Sequence, residues 1–156
     1  MSGLEDLYRE IVLDHYKSPR NRGELEPPAV RAEGLNPLCG DEVVVFVDLD
    51  GDTVRDIRIG GQGCSISQSS ASMMSAAVKG KTLAEIDELT HAFKALLTIH
   101  EHTHDGEETF DHPTVKLGEL EALRGVVKFP TRIKCATLSW NTLAEAIGQA
   151  LGGTAP

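Results

Sequence analysis

Gly60-Gly61-Gln62-Gly63-Cys64-Ser65-Ile66-Ser67 is the stretch on which the reading of this chain turns. Glycines crowd one side of a thiol, and the run from Ser67 to Val78 on the other side reads as a helix. A cysteine at a strand-to-helix junction has backbone N–H groups aimed at it and feels the positive end of the helix dipole. Both effects favour thiolate over thiol. A thiolate is the form that metal binding or sulfur chemistry requires.

Upstream of this junction, Val43 to Leu49 is rich in β-branched residues, Asp50-Gly51-Asp52 signals a tight turn, and Thr53 to Ile59 alternates with Val54, Ile57 and Ile59 apolar. This pattern predicts an antiparallel hairpin. A hairpin here returns the chain from Asp41 to Cys64. Immediately before it stands Pro37-Leu38-Cys39-Gly40-Asp41. Proline fixes the approach, glycine permits a sharp turn, and Cys39 and Asp41, two apart, share a face of an extended backbone. Cys39, Asp41 and Cys64 can therefore meet at one end of a sheet. Residues 24–38, with Pro27, Pro28, Gly34 and Asn36-Pro37, read as an irregular connection. Before them, Leu4 to Lys17 has the three-and-four apolar spacing of an amphipathic helix, ended by Ser18-Pro19. His15 in that helix reads as a residue that caps or packs locally, because no second metal-type residue sits three or four places away.

Downstream of Cys64, the small-residue helix Ser67 to Val78 is closed by Gly80, and its Met73 and Met74 read as core filling. Thr82-Leu83-Ala84-Glu85 is a capping box opening an amphipathic helix that carries Ile86, Leu89, Phe93, Leu96 and Leu97. Residues 98–114 are polar and acidic, with His100, His102, His104 and His112. Alternating histidines bind metals when extended, and a solvated loop explains the same composition; the length reads as a surface insertion. Leu117 to Leu123 reads as a short helical turn before Gly125. Pro130 suits the first turn of a final helix, which puts Cys135 in its second turn.

The chain has 156 residues, 40% hydrophobic and 25% charged, a size and composition for one compact domain with a core of its own. Its net charge of −9, with no basic run interleaved with aromatics, speaks against nucleic acid as a partner. The N-terminus has no basic region followed by an apolar core, and no apolar run approaches a membrane span. The expected location is the cytoplasm, with no membrane association. Three cysteines, an odd number, argue against a disulfide framework.

Cys39, Asp41, Cys64 and Cys135 make a plausible four-coordinate set for zinc, with four negative charges against the ion's two. Arg132 and Lys134, which flank Cys135 in sequence, are the available compensating cations; an ordinary solvated helix surface explains them equally. The cysteines are far apart and include no close pair, unlike a zinc finger. Cys39 lies on a loop between Pro37-Leu38 and Gly40, whereas Cys64 and Cys135 are tied to helix starts. If one sulfur must leave a metal to act as nucleophile, Cys39 is the freest.

Asn36-Pro37-Leu38-Cys39-Gly40-Asp41, the run Gly61 to Met74, and Arg132-Ile133-Lys134-Cys135-Ala136-Thr137-Leu138-Ser139-Trp140, together with Asp14-His15-Tyr16-Lys17-Ser18-Pro19-Arg20-Asn21, resemble the SufU branch of the IscU/NifU-type iron–sulfur assembly proteins. The likeness spans roughly residues 4–150. It implies an α+β fold, a small antiparallel sheet of about three strands with helices packed on one face, and zinc held by Cys39, Asp41, Cys64 and Cys135. It also implies a zinc-dependent sulfurtransferase that accepts persulfide sulfur from a SufS-type cysteine desulfurase and relays it to a SufBCD-type scaffold complex. In that family the thiol matching Cys39 is the acceptor, freed when a histidine of the desulfurase takes its place on the zinc. The role is a sulfur relay rather than turnover of a small substrate.

IscU-type scaffolds carry a histidine just before the last cysteine, where this chain has Lys134, and a Leu-Pro-Pro-Val-Lys chaperone motif that is absent here. Both departures favour sulfur transfer over scaffolding. The alternative is a scaffold that binds iron and builds a [2Fe–2S] cluster on the three cysteines and Asp41 before transferring it. A purely structural zinc domain is the third option.

Overall fold

The computed structural model describes residues 3–37, 39–98 and 117–151. Helix α1 (Gly3–Lys17) leads into a three-stranded antiparallel sheet of order β1-β2-β3, formed by β1 (Val30–Asn36), β2 (Asp41–Asp50) and β3 (Thr53–Gln62). Helices α2 (Ser65–Val78), α3 (Leu83–Thr98) and α4 (Pro130–Ala150) follow, with a 3₁₀ segment, Gly118–Lys128, before α4. Among the described residues no helix is long and apolar enough to cross a membrane.

The sheet buries the face that alternation selects. Val43, Val45 and Val47 of β2 and Ile57 and Ile59 of β3 are buried, while Glu42, just before Val43, points to solvent. Helix α4 lies across β1 and β2, α2 packs beside β3, and α1 rests on α2. Phe93 of α3 stacks on Trp140 of α4 with ring centroids 4.9 Å apart, which joins these two helices through their largest side chains.

The hairpin is longer than its apolar run suggests, reaching from Asp41 to Gln62, with a register shift at Asp48/Leu49. This length carries the start of β2 and the end of β3 to the Cys64 junction. The capping box forms as read: Thr82 N–H donates to Glu85 Oε1 at 2.9 Å and Glu85 N–H to Thr82 Oγ1 at 3.2 Å. Met73 and Met74 are core residues.

Two local readings need correction. The connection 24–38 contains β1, paired with β2 from Val30↔Val47 to Asn36↔Asp41. Its inward residues are Ala32, Gly34 and Asn36, too small or polar to show as an apolar stripe. The reason is the closeness of α4: a Cβ at Gly34 would stand 3.1 Å from Leu138 Cδ1 and closer still to Thr142 Oγ1. The short turn expected at 117–123 is instead a 3₁₀ segment that runs on through Gly125 to Lys128, burying Leu120, Leu123 and Val126.

Candidate metal centre

Each candidate ligand is placed by a different element. Cys39 follows β1 in a turn closed by its own N–H donating to the Asn36 carbonyl at 3.2 Å, with Pro37 next in the turn. Gly40, at φ 72°, takes the left-handed conformation that lets the chain re-enter the sheet. Asp41 opens β2 and is 1% exposed. Cys64 is the N-cap of α2, its Sγ accepting the Ser67 N–H at 3.4 Å. Cys135 sits in α4, is fully buried, and faces back toward the β1–β2 turn.

These elements converge. Ligand atoms of Cys39, Asp41 and Cys135 all lie within 4.8 Å of one another, and the Cys39 and Cys135 sulfurs are 3.4 Å apart. Cys64 stands on the flank of that trio, its Sγ 3.9 Å from Asp41 Oδ2. Asp41 Oδ1 also accepts the Cys64 N–H at 2.9 Å, so the same carboxylate orients the helix start and offers its other oxygen to the group. Gly63 makes this approach possible: a Cβ there would meet Asp41 Oδ1 at 2.5 Å.

The donor set suits a tetrahedral thiophilic ion. With sulfur at about 2.3 Å and oxygen at about 2.1 Å, such an ion separates two sulfurs by about 3.8 Å and a sulfur from an oxygen by about 3.6 Å. The two distances found, 3.4 Å between the Cys39 and Cys135 sulfurs and 3.9 Å between Cys64 Sγ and Asp41 Oδ2, differ from these by a few tenths of an ångström, but Cys64 does not lie within 4.8 Å of every other donor as Cys39, Asp41 and Cys135 do of one another. Three sulfurs and one carboxylate are the chemistry that zinc or iron–sulfur species take, and a hard cation such as magnesium or calcium would not choose them.

Burial pushes the Cys135 thiol above the usual cysteine range, and its hydrogen bonds to Asp41 and Cys39 and the charge of Cys64 push it the same way. Cys39 and Cys64 are partly exposed.

Residues 7–136 match the family described as the NifU-like N terminal domain. The chain belongs to that family. This NifU-like domain is 43% identical over 152 residues to the zinc-dependent sulfurtransferase SufU of Bacillus subtilis, spanning 97% of each chain. It is 44% identical over 149 residues to the iron–sulfur cluster assembly scaffold protein IscU of Streptococcus pyogenes serotype M1, covering 94% of this chain and 86% of that one. The crystal structure of SufU from Fervidobacterium islandicum AW-1 has the same fold, with TM-score 0.77, 32% identity, and coverage of 93% of this chain and 99% of that one.

In this NifU-like domain the two flanking cations separate. The field of Cys64 is the largest influence on the exposed Arg132 guanidinium, and with the fields of Cys135 and Cys39 and a hydrogen bond to Cys135 it outweighs a slight desolvation and raises the group above the usual arginine range. Lys134 is exposed and borders a surface cleft of about 430 Å³ with Leu35, Asn36 and Pro37. His15, read as local, is buried and bonded across the fold to Ser72 and Glu119. The histidine tract beyond Thr98 lies outside the described residues. One residue that the sequence reading does not single out as a site residue is Asn36, whose side chain points between the candidate ligands Asp41 and Cys135. The available signal was its place before Pro37 at the head of a turn, where asparagine is favoured.

Proposed function

We propose that this chain is a zinc-dependent sulfurtransferase of iron–sulfur cluster assembly, taking persulfide sulfur from a SufS-type cysteine desulfurase and passing it to a SufBCD-type scaffold. Cys39, Asp41, Cys64 and Cys135 are its metal ligands and Cys39 is its sulfur acceptor. The observation that carries this reading is an asymmetry within the converged group: Cys39 is partly exposed on a turn, whereas Cys135, 3.4 Å away, is fully buried on a helix. The 43% identity to the Bacillus subtilis sulfurtransferase supports it.

Zinc bound by these residues keeps their sulfurs as thiolates at neutral pH. The Cys39 thiolate attacks the terminal sulfur of the donor's persulfide. A sulfur–sulfur bond forms at Cys39 as the donor's sulfur–sulfur bond breaks, and the electron pair leaves with the donor thiolate, with no net oxidation or reduction. The Cys39 turn supplies access, and the Asn36–Cys39 backbone bond holds the loop in reach.

Cys39→Ala tests this directly. Loss of desulfurase stimulation and of labelled sulfur uptake, with far-UV circular dichroism unchanged, is the expected result; full stimulation by the variant rejects Cys39 as acceptor. The 44% identity to the Streptococcus pyogenes scaffold favours a second reading, assembly and transfer of a [2Fe–2S] cluster on the same residues. Anaerobic reconstitution followed by transfer to an apo-ferredoxin separates the two: efficient intact transfer with no effect on desulfurase rate selects the scaffold.

A further inference from the structure

Asn36 ends β1 and is 7% exposed. Its Nδ2 stands 3.5 Å from Asp41 Oδ2 and 3.6 Å from Cys135 Sγ, and the two hydrogens of a carboxamide can serve both acceptors. Its backbone carbonyl accepts the Cys39 N–H. One side chain and its own backbone thus touch three of the four candidate ligands.

The three sulfurs are not alike in what donates to them. Cys64 Sγ receives the Ser67 N–H, and Cys135 Sγ faces both the Asn36 amide and the Arg132 guanidinium. Among the described residues, Cys39 Sγ has no N–H partner; its neighbour is the Cys135 sulfur. A hydrogen bond to a thiolate stabilises the charge, draws density off the sulfur and lowers its nucleophilicity.

We propose that Asn36 is a positioning residue that donates to Cys135 and Asp41, holding them on the metal as spectators and leaving Cys39 the reactive sulfur. This rests on the metal reading above. Partners of this kind around a metal fix ligand orientation and tune ligand charge, and removing one costs about 10- to 100-fold in metal affinity. Asn36 acts through the ligands rather than on the incoming sulfur, so its signature lies in the metal site itself.

The test uses the full chain loaded with cobalt(II), whose sulfur-to-metal charge-transfer band reports sulfur electron density. Asn36→Ala removes the donor, and Asn36→Leu removes it while keeping the side chain's shape, which guards against a variant that fails to fold. The expected result in either is a band moved to longer wavelength, cobalt lost to a competing chelator at about 10- to 100-fold lower chelator concentration, and alkylation by limiting iodoacetamide spread from Cys39 to Cys135. An unmoved band overturns the inference, whether the affinity holds within twofold or falls, since a merely structural asparagine lowers affinity without altering the sulfur. A wild-type protein that shows no sulfur-to-cobalt band at all removes the metal reading, and the inference falls with it.

Discussion

Nε2 of His15 stands 2.6 Å from Oε1 of Glu119, and Nδ1 of the same ring stands 2.7 Å from Ser72 Oγ. Ser72 Oγ also accepts the Arg20 N–H at 2.8 Å, so the network is satisfied when Ser72 donates to Nδ1 and Nε2–H donates to the carboxylate. A single buried imidazole thereby ties α1 to α2 and to the 3₁₀ segment. His15→Ala leaves a cavity and an unpaired hydroxyl. The expected loss is about 2 kcal/mol in urea unfolding, with Glu119→Ala below about 1 kcal/mol because that carboxylate is half exposed.

Gly63→Ala tests the geometry of the ligand group from its backbone side. The added Cβ falls 2.5 Å from Asp41 Oδ1 and 2.9 Å from Asp41 Cα, both on a buried strand start that cannot yield cheaply. Weakened metal retention on a chelating column and a stability loss of about 2 kcal/mol are expected. Wild-type retention in a folded variant would mean that Asp41 does not need its present place.

Phe93→Ala removes half of the aromatic stack on Trp140 at the meeting of α3 and α4. Phe93 is fully buried, and truncation of such a ring costs about 3 to 5 kcal/mol. The sheet and the ligand turn are built from other elements, so metal stoichiometry in the fraction that folds is expected to equal wild type.

Asp56 sets a pH dependence whose sign is fixed by its partners. Burial is the largest single influence and pushes its carboxyl up, but the Ile57 N–H, the Lys79 hydrogen bond and the charges of Arg58 and Lys79 together bring it below the usual range. The ionised form is therefore favoured by folding. Its contribution is present in full above the unfolded value of about 3.9 and is lost as pH falls through the lower folded value. Asp56→Asn should cost about 0.5 kcal/mol at neutral pH, and the difference from wild type should vanish toward pH of about 2 in acid-urea titrations.

Chelation separates a metal that builds the fold from one that equips it. The core joins α2, α3, α4 and the three strands through buried apolar residues, with Tyr8, Ile11 and Val12 of α1 packed against it partly buried, and none of these is a candidate ligand. Metal removal should lower the unfolding temperature, as expected when a ligand of the native state is withdrawn, and leave the far-UV spectrum unchanged. Unfolding on chelation would revive the purely structural zinc domain.

Much of this was legible along the chain. The hairpin showed in Val43–Leu49 and Thr53–Ile59 because alternation is a local consequence of one buried face. The Thr82–Glu85 box and Pro130 marked helix starts because caps act within one turn. β1 stayed hidden because its inward face was shaped by α4, a partner more than a hundred residues away, and selected for smallness rather than for greasiness. His15 was misread for the same reason: its partners, Ser72 and Glu119, lie far off in sequence.

Residue order alone determined which candidate donor atoms exist: Cys64 before a helix, Cys39 in a Pro-Leu-Cys-Gly-Asp turn with Asp41 two places after it, and Cys135 early in the last helix. Their proximity was the work of the tertiary structure, which stacked α4 on β1 and β2 and closed the hairpin so that Cys39 and Cys135 stand 3.4 Å apart with Asp41 beside them. It also decided which sulfur is shielded and which is open, and where the Asn36 amide points. Spacing along a chain constrains only near neighbours; burial and hydrogen bonding between distant segments are settled when their shared core packs.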